Sequence, residues 1–177
     1  LDVCLAGVQK CFALPPGLTV CAVSERALQR AATIPHRGYY FDFLDNEKFA
    51  AKFNTPATPA ISLIYALDKQ MDRMFEEGLE NRYARHLAMA DHCRTWGRTR
   101  FSLYGDERYL SPTITHITNP GFDFSALNKE LGKRGAQISD GYGPFKGKTF
   151  RIGHMGDLTL ADVQWLTAQI DDIVKAN

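Results

Sequence analysis

Long apolar runs are absent from this 177-residue chain, and with them any segment of membrane-spanning length. No charged-then-apolar leader is evident either. An excess of one charge is also lacking. Lys and Arg number 21 against 20 Asp and Glu, a formal net charge of +1, with the signs interspersed. There is no basic stripe to bind nucleic acid and no cationic amphipathic helix to lie on a membrane surface. Cysteine is scarce, at four residues, and forms no CxxC pair. Three of the four lie in or near apolar runs and are expected as reduced core residues. His36, His86, His92, His116 and His154 show no metal-ligand spacing, so no metal is expected. Internal repeats and low-complexity tracts are missing. So is an initiator methionine: the chain starts at Leu1, inside an apolar run, and reads as the C-terminal part of a longer polypeptide. A cytoplasmic protein is the expectation.

What is present begins with a hydrophobic content of 45% and an aromatic content of 11%, enough for a packed core. The chain is organised around its first residues. Val3-Cys4-Leu5-Ala6-Gly7-Val8 reads as a buried strand that delivers Gln9 and Lys10 ahead of the Pro15-Pro16-Gly17 turn. A lysine desolvated at a strand end loses its preference for the ammonium form and gains nucleophilic character, which is how a Schiff-base lysine is made. The competing reading is a lysine that snorkels to the surface.

A second buried strand is expected over Leu18–Val23, then a helix from the N-cap Ser24 to about Ala31. Residues Ile34–Phe53 show no clear periodicity and read as an aromatic-rich irregular stretch. Asn54-Thr55-Pro56-Ala57-Thr58-Pro59 stands immediately before a helix that carries Ile61, Ile64, Leu67, Met71, Met74 and Phe75 and ends at Gly78. Such a helix start suits an anion, although simple capping explains the same residues. The next helix is expected from Leu79 to Trp96, with Tyr83, Leu87, Ala90 and Cys93 inward, Arg82, Arg85 and Arg94 solvated, and Gly97 as its stop. Short strands then alternate with helices: strands near Arg100–Leu103, Thr113–Ile117, Ala136–Ser139 and Lys148–Ile152, and helices over Phe124–Lys133 and Leu160–Val174. Thr159 is the expected cap of the last helix, with Val163, Leu166, Ile170 and Ile173 inward. This is an α/β chain with a boundary near residue 80, so residues 1–80 and 81–177 form two domains.

Arg151 lies in an apolar strand between Phe150 and Ile152, ahead of Gly153-His154-Met155-Gly156. Its guanidinium stays charged when half-buried and so requires an anion, either an internal carboxylate or a ligand carboxylate gripped by its planar fork.

Three stretches together resemble the C-terminal half of the class V aminotransferases, pyridoxal-phosphate enzymes of fold type I. They are Gly7-Val8-Gln9-Lys10 with Pro15-Pro16-Gly17-Leu18, then Asn54-Thr55-Pro56, then Phe150-Arg151-Ile152-Gly153-His154-Met155-Gly156. The similarity is greatest to the serine– and alanine–glyoxylate type, with a phosphoserine type second. The resemblance implies the end of a large mixed or parallel-sheet domain followed by a small α+β domain. It implies a Schiff base between Lys10 and pyridoxal 5'-phosphate, and a cofactor phosphate held by Gln9. Asn54 and Thr55 would reach the phosphate in a neighbouring subunit, which makes a homodimer a functional need. Arg151 would bind the substrate α-carboxylate. The implied activity is ping-pong transamination between a serine- or alanine-type amino acid and a glyoxylate- or pyruvate-type 2-oxo acid. The family's glycine-rich phosphate loop, stacking aromatic ring and pyridine-pairing aspartate are not in this sequence, and Asp2 is too close to Lys10 in the chain to be that aspartate. A non-catalytic remnant that keeps a dimerisation role is the alternative.

Overall fold

The computed structural model describes residues 1–176 and divides into two compact units, with the cut inside a helix between Arg73 and Met74.

The first unit opens with an antiparallel ribbon of β1 (Val3–Gly7) and β2 (Thr19–Val23), in register from Val3↔Val23 to Gly7↔Thr19. Helix α1 (Glu25–Ala32) follows, and Ser24 Oγ accepts the Ala27 N–H at its start. Helix α2 (Phe43–Ala50) occupies part of the stretch expected to be irregular. Its signal is the cap rather than the period: Asp42 accepts the Leu44 N–H and is gripped by Arg37 Nε at 2.9 and 3.0 Å. That guanidinium holds the Asp42 carboxyl below its ordinary range. Helix α3 (Ile61–Glu77) ends before Gly78, as its pattern predicts.

Both strands form, but neither is buried. Leu5 is 68% exposed, Val3 and Cys4 are exposed, and the buried residues of the unit are Val8, Asp42 and Gln70. The expectation of reduced core cysteines fails for the same reason. Cys4, Cys11 and Cys21 are exposed, and only Cys93 is buried. An apolar pattern records which side chains can be covered; a two-stranded ribbon offers no second layer to cover them.

The second unit is a four-stranded antiparallel sheet in the order β3-β4-β6-β5, built from β3 (Ser102–Leu103), β4 (Ile114–Thr118), β5 (Ser139–Asp140) and β6 (Thr149–Gly153). Three helices supply its second layer: α4 (Leu79–Arg100), α5 (Phe124–Lys133) and α6 (Leu160–Ala176). The core holds Met89, Cys93 and Trp96 of α4, Leu127 and Leu131 of α5, and Val163, Ile170 and Ile173 of α6. These pack with Ile117, Phe150 and Ile152 of the sheet. Phe101, Phe122 and Phe150 meet edge-on or tilted at 5.6–6.1 Å between centroids. Thr159 and Asp162 cap α6 reciprocally: Asp162 Oδ2 accepts the Thr159 N–H at 2.7 Å and Thr159 Oγ1 accepts the Asp162 N–H at 3.3 Å.

Helix α4 departs from expectation in three ways. It runs through Gly97 to Arg100, because Gly97 is a contact point rather than a stop: a Cβ there would lie 2.8 Å from Leu103 Cδ2. Its buried face is offset, with Tyr83 and Leu87 about half exposed and Arg82, His86 and Met89 buried. Its arginines are not a solvated face. Arg82 is 4% exposed, paired with Glu77 at 2.8 Å and Asp157 at 3.2 Å, while Arg94 donates to Ser111 O at 3.0 Å. No helix among the described residues is long and apolar enough to cross a membrane.

Candidate active site

In the first unit, Gln9 and Lys10 share the turn that leaves β1. The Lys10 N–H donates to Gly7 O at 3.2 Å and its carbonyl accepts from the Ala13 N–H at 2.9 Å. Lys10 is exposed, so the desolvation expected of it is absent from this chain. Its amine makes no hydrogen bond or ion pair among the described residues. The Gln9 side chain folds back over Gly7, whose missing Cβ would sit 2.5 Å from Gln9 Oε1. Any larger residue at position 7 would push the Gln9 amide off the strand end. Asp2 is engaged elsewhere: its carboxylate accepts from Ser24 Oγ at 2.9 Å and from Arg26, which holds it below its ordinary range.

Asn54 and Thr55 lie in a separate loop, and both are exposed. Helix α3 begins at Ile61, so the Asn54–Pro59 segment precedes it as expected, with Asn54 and Thr55 at the segment's far end. Asn54 Oδ1 accepts the Thr55 N–H at 2.8 Å, and Thr55 Oγ1 donates to Ala57 O at 2.7 Å.

In the second unit, strand alternation sends Phe150 and Ile152 into the core and Arg151 to the opposite face of the sheet. Arg151 donates from Nε to the Asp140 carbonyl at 3.0 Å and forms no ion pair with a carboxylate among the described residues. Of its two possible anions, the internal carboxylate is thus not the one in use, and the two terminal nitrogens of the fork are open to a ligand.

Sequence reasoning missed what stands beside it. His116 of β4 is the direct cross-strand partner of Arg151. Its Nε2 lies 2.6 Å from Thr149 Oγ1, and Tyr104 packs on its ring at 4.8 Å. Burial and the charge of Arg151 lower its pKa. The loop that follows Arg151 is anchored from α4. The Gly156 N–H donates to His86 Nε2 at 3.1 Å, which leaves Nδ1–H of His86 to donate to Arg82 O at 2.7 Å. Arg85 Nη1 donates to Gly156 O at 3.1 Å and also reaches Leu158 O, while its Nε pairs with Glu77 at 2.6 Å. Within this loop His154 is fully buried, with Nε2 2.8 Å from Thr115 Oγ1 and Nδ1 without a partner among the described residues. Burial pushes its pKa down to about 4. Among the described residues no group of His, Cys, Asp and Glu is arranged to hold a metal ion.

A serine–glyoxylate aminotransferase of Arabidopsis thaliana is 34% identical over 183 residues, a match covering 99% of this chain. An uncharacterized aminotransferase of Methanocaldococcus jannaschii is 38% identical over 161 residues and 88% of the chain. The chain is similar to these and related class V aminotransferases. It matches their C-terminal part, spanning 45% and 42% of the length of those two relatives. The crystal structure of pyridoxamine–pyruvate aminotransferase from Mesorhizobium loti superposes with a TM-score of 0.89 at 31% identity, over 99% of this chain and 47% of that one. Ureidoglycine–glyoxylate aminotransferase of Bacillus subtilis gives a TM-score of 0.83 at 28% identity, again over 99% and 47%. No protein-family model matches the chain.

The residues present fit the pyridoxal phosphate used by PLP-dependent aminotransferases related to this chain. An exposed, unpartnered amine at Lys10 follows a turn where an amide group lies close over a glycine. An arginine fork without a carboxylate stands in the second unit.

Proposed function

We propose that this chain is the C-terminal portion of a pyridoxal-phosphate-dependent aminotransferase. Its substrates are a serine- or alanine-type amino acid and a glyoxylate- or pyruvate-type 2-oxo acid, in a ping-pong cycle. The observation that carries the reading is Arg151, a half-buried guanidinium on a regular strand with no carboxylate of its own. Relatives named for serine–glyoxylate transamination support the substrate class.

Each residue has a stated task. Arg151 binds the α-carboxylate, two parallel N–H donors fixing the direction of the Cα–H bond. Lys10 Nζ would hold the cofactor through its aldehyde and, when free, would hold the proton moved at the substrate Cα. Gln9 contributes amide donors to the cofactor phosphate. Asn54 and Thr55 do the same across a homodimer interface, which their exposure permits. The cofactor supplies the electron sink for the carbanion. The first unit is the remainder of the cofactor-binding domain, the second is the small domain, and the protein is cytoplasmic.

A second reading, a non-catalytic module that keeps only an association role, is favoured by the exposed apolar faces of β1 and β2. Borohydride reduction in the presence of pyridoxal phosphate, followed by intact mass and peptide mapping, separates the two. A reduced phosphopyridoxyl group on Lys10, lost in Lys10→Ala, is the expected result. A bare chain leaves the association role standing.

A further inference from the structure

The face of the second unit's sheet that turns away from the core carries two cationic or ionisable groups side by side, and the proposed carboxylate role uses only one. His116 and Arg151 are paired across β4 and β6, which brings their Cβ atoms to about 5 Å. We propose that His116 is a second anion-binding residue of this site: a carboxylate held by Arg151 is bound together with one proton, taken from solvent at His116 Nδ1. This rests on the reading of Arg151 as the carboxylate clamp.

The hydrogen-bond arrangement that fits this role has Thr149 Oγ1 donating its single hydrogen to Phe145 O at 3.3 Å and accepting from His116. The group 2.6 Å away is then Nε2–H, which leaves the lone pair of the neutral ring on Nδ1. No partner of Nδ1 occurs among the described residues. The ring is held in place by that bond and by Tyr104, which itself packs on Phe145 at 5.1 Å between centroids.

The surroundings set the sign of the coupling. From β6 His116 faces Arg151 and Thr149; from the residue after β3 it faces the Tyr104 ring, and from the turn before β6 it has Phe145 beyond Thr149. On β5, Ser139 shares the Arg151 register, while the Asp140 carboxylate accepts the N–H groups of Gly141 and Gly147 and is paired across from Phe150. Arg151 is thus the charge that opposes a proton on His116, and among the described residues no carboxylate on this face offsets it. A ligand carboxylate placed on the guanidinium reverses the local field. The proton then binds next to a neutralised pair, and Nδ1–H becomes a further donor to the anion.

The test is a histidine NMR titration of the full chain with and without saturating acetate, with His116 assigned through His116→Gln. In the presence of acetate the His116 midpoint is expected to rise by about one pH unit or more, and acetate affinity to tighten at least about threefold from about pH 8 to about pH 6. His86 and His154, engaged by Gly156 and Thr115, serve as unmoved controls. In His116→Gln acetate binding is expected to persist but lose its pH dependence, and in Arg151→Met both effects are expected to vanish. Acetate binding with a stationary His116 midpoint overturns the proton coupling and leaves the clamp intact. No acetate binding at any pH overturns both.

Discussion

The two units apply the same apolar vocabulary to opposite effect. In the second, Phe150, Ile152 and Ile117 of the sheet pack in one cluster with side chains of three helices and have no accessible surface. In the first, Val3 and Leu5 stand on a ribbon with no second layer, and burial is reduced to Val8, Asp42 and Gln70. Local pairing is equally regular in both, so backbone register alone does not create a core. What separates them is whether another element lies against the face, and hydrophobic free energy follows the area covered rather than the residue type.

The largest expected effect tests the closed core. Phe150→Ala removes a buried ring in contact with two others and is expected to cost about 3–5 kcal/mol, read from urea unfolding. A loss below about 1 kcal/mol would show that the helices do not seal the sheet. Acidification comes next and also acts on the second unit. His154 is held neutral by burial, its pKa pushed down to about 4, so the stability it contributes is present above its unfolded value near 6.5. That contribution is lost as pH falls from 6.5 to about 4, of order 2–3 kcal/mol. His154→Gln should flatten this window. Glu77, held at about 2 chiefly by Arg85, adds a second loss below pH 4.5.

Arg151→Lys probes the outer face of the same sheet. It is expected to leave the urea midpoint nearly unchanged while weakening carboxylate binding by about 1.5–3 kcal/mol, because a point ammonium cannot form the two parallel bonds. Identical affinity in the variant would remove the clamp. The smallest effect belongs to the ribbon: Leu5→Ser, at a site 68% exposed, should shift stability by no more than about 0.5 kcal/mol. A loss above about 1 kcal/mol would mean that something covers β1 in solution.

Much of the second unit was legible. Phe124–Lys133 is predicted to the residue, and of the expected inward set Val163, Ile170 and Ile173 are buried while Leu166 packs partly buried against them, because these helices bury one stripe and leave the rest to solvent. Helix α4 was misread because its inner face includes Arg82 and His86, which are polar by type but satisfied by Glu77, Asp157 and the Gly156 N–H. Arg151 stood out as a charge in an apolar strand. His116 did not, since its importance lies in cross-strand register, which no local spacing reveals. The alternation of Ile114-Thr115-His116-Ile117 does place it on the face opposite Ile117, the one signal that was there to find.

The bond from Arg151 Nε to the Asp140 carbonyl takes one of five donors and has a consequence for recognition. A long arginine side chain normally surrenders rotational freedom when it captures a ligand, about 0.5–1.5 kcal/mol of entropy. Here the swing about the guanidinium is restrained at folding, so much of that loss is already incurred before any ligand arrives. A carboxylate on the proposed clamp would then meet a fork that is already aimed.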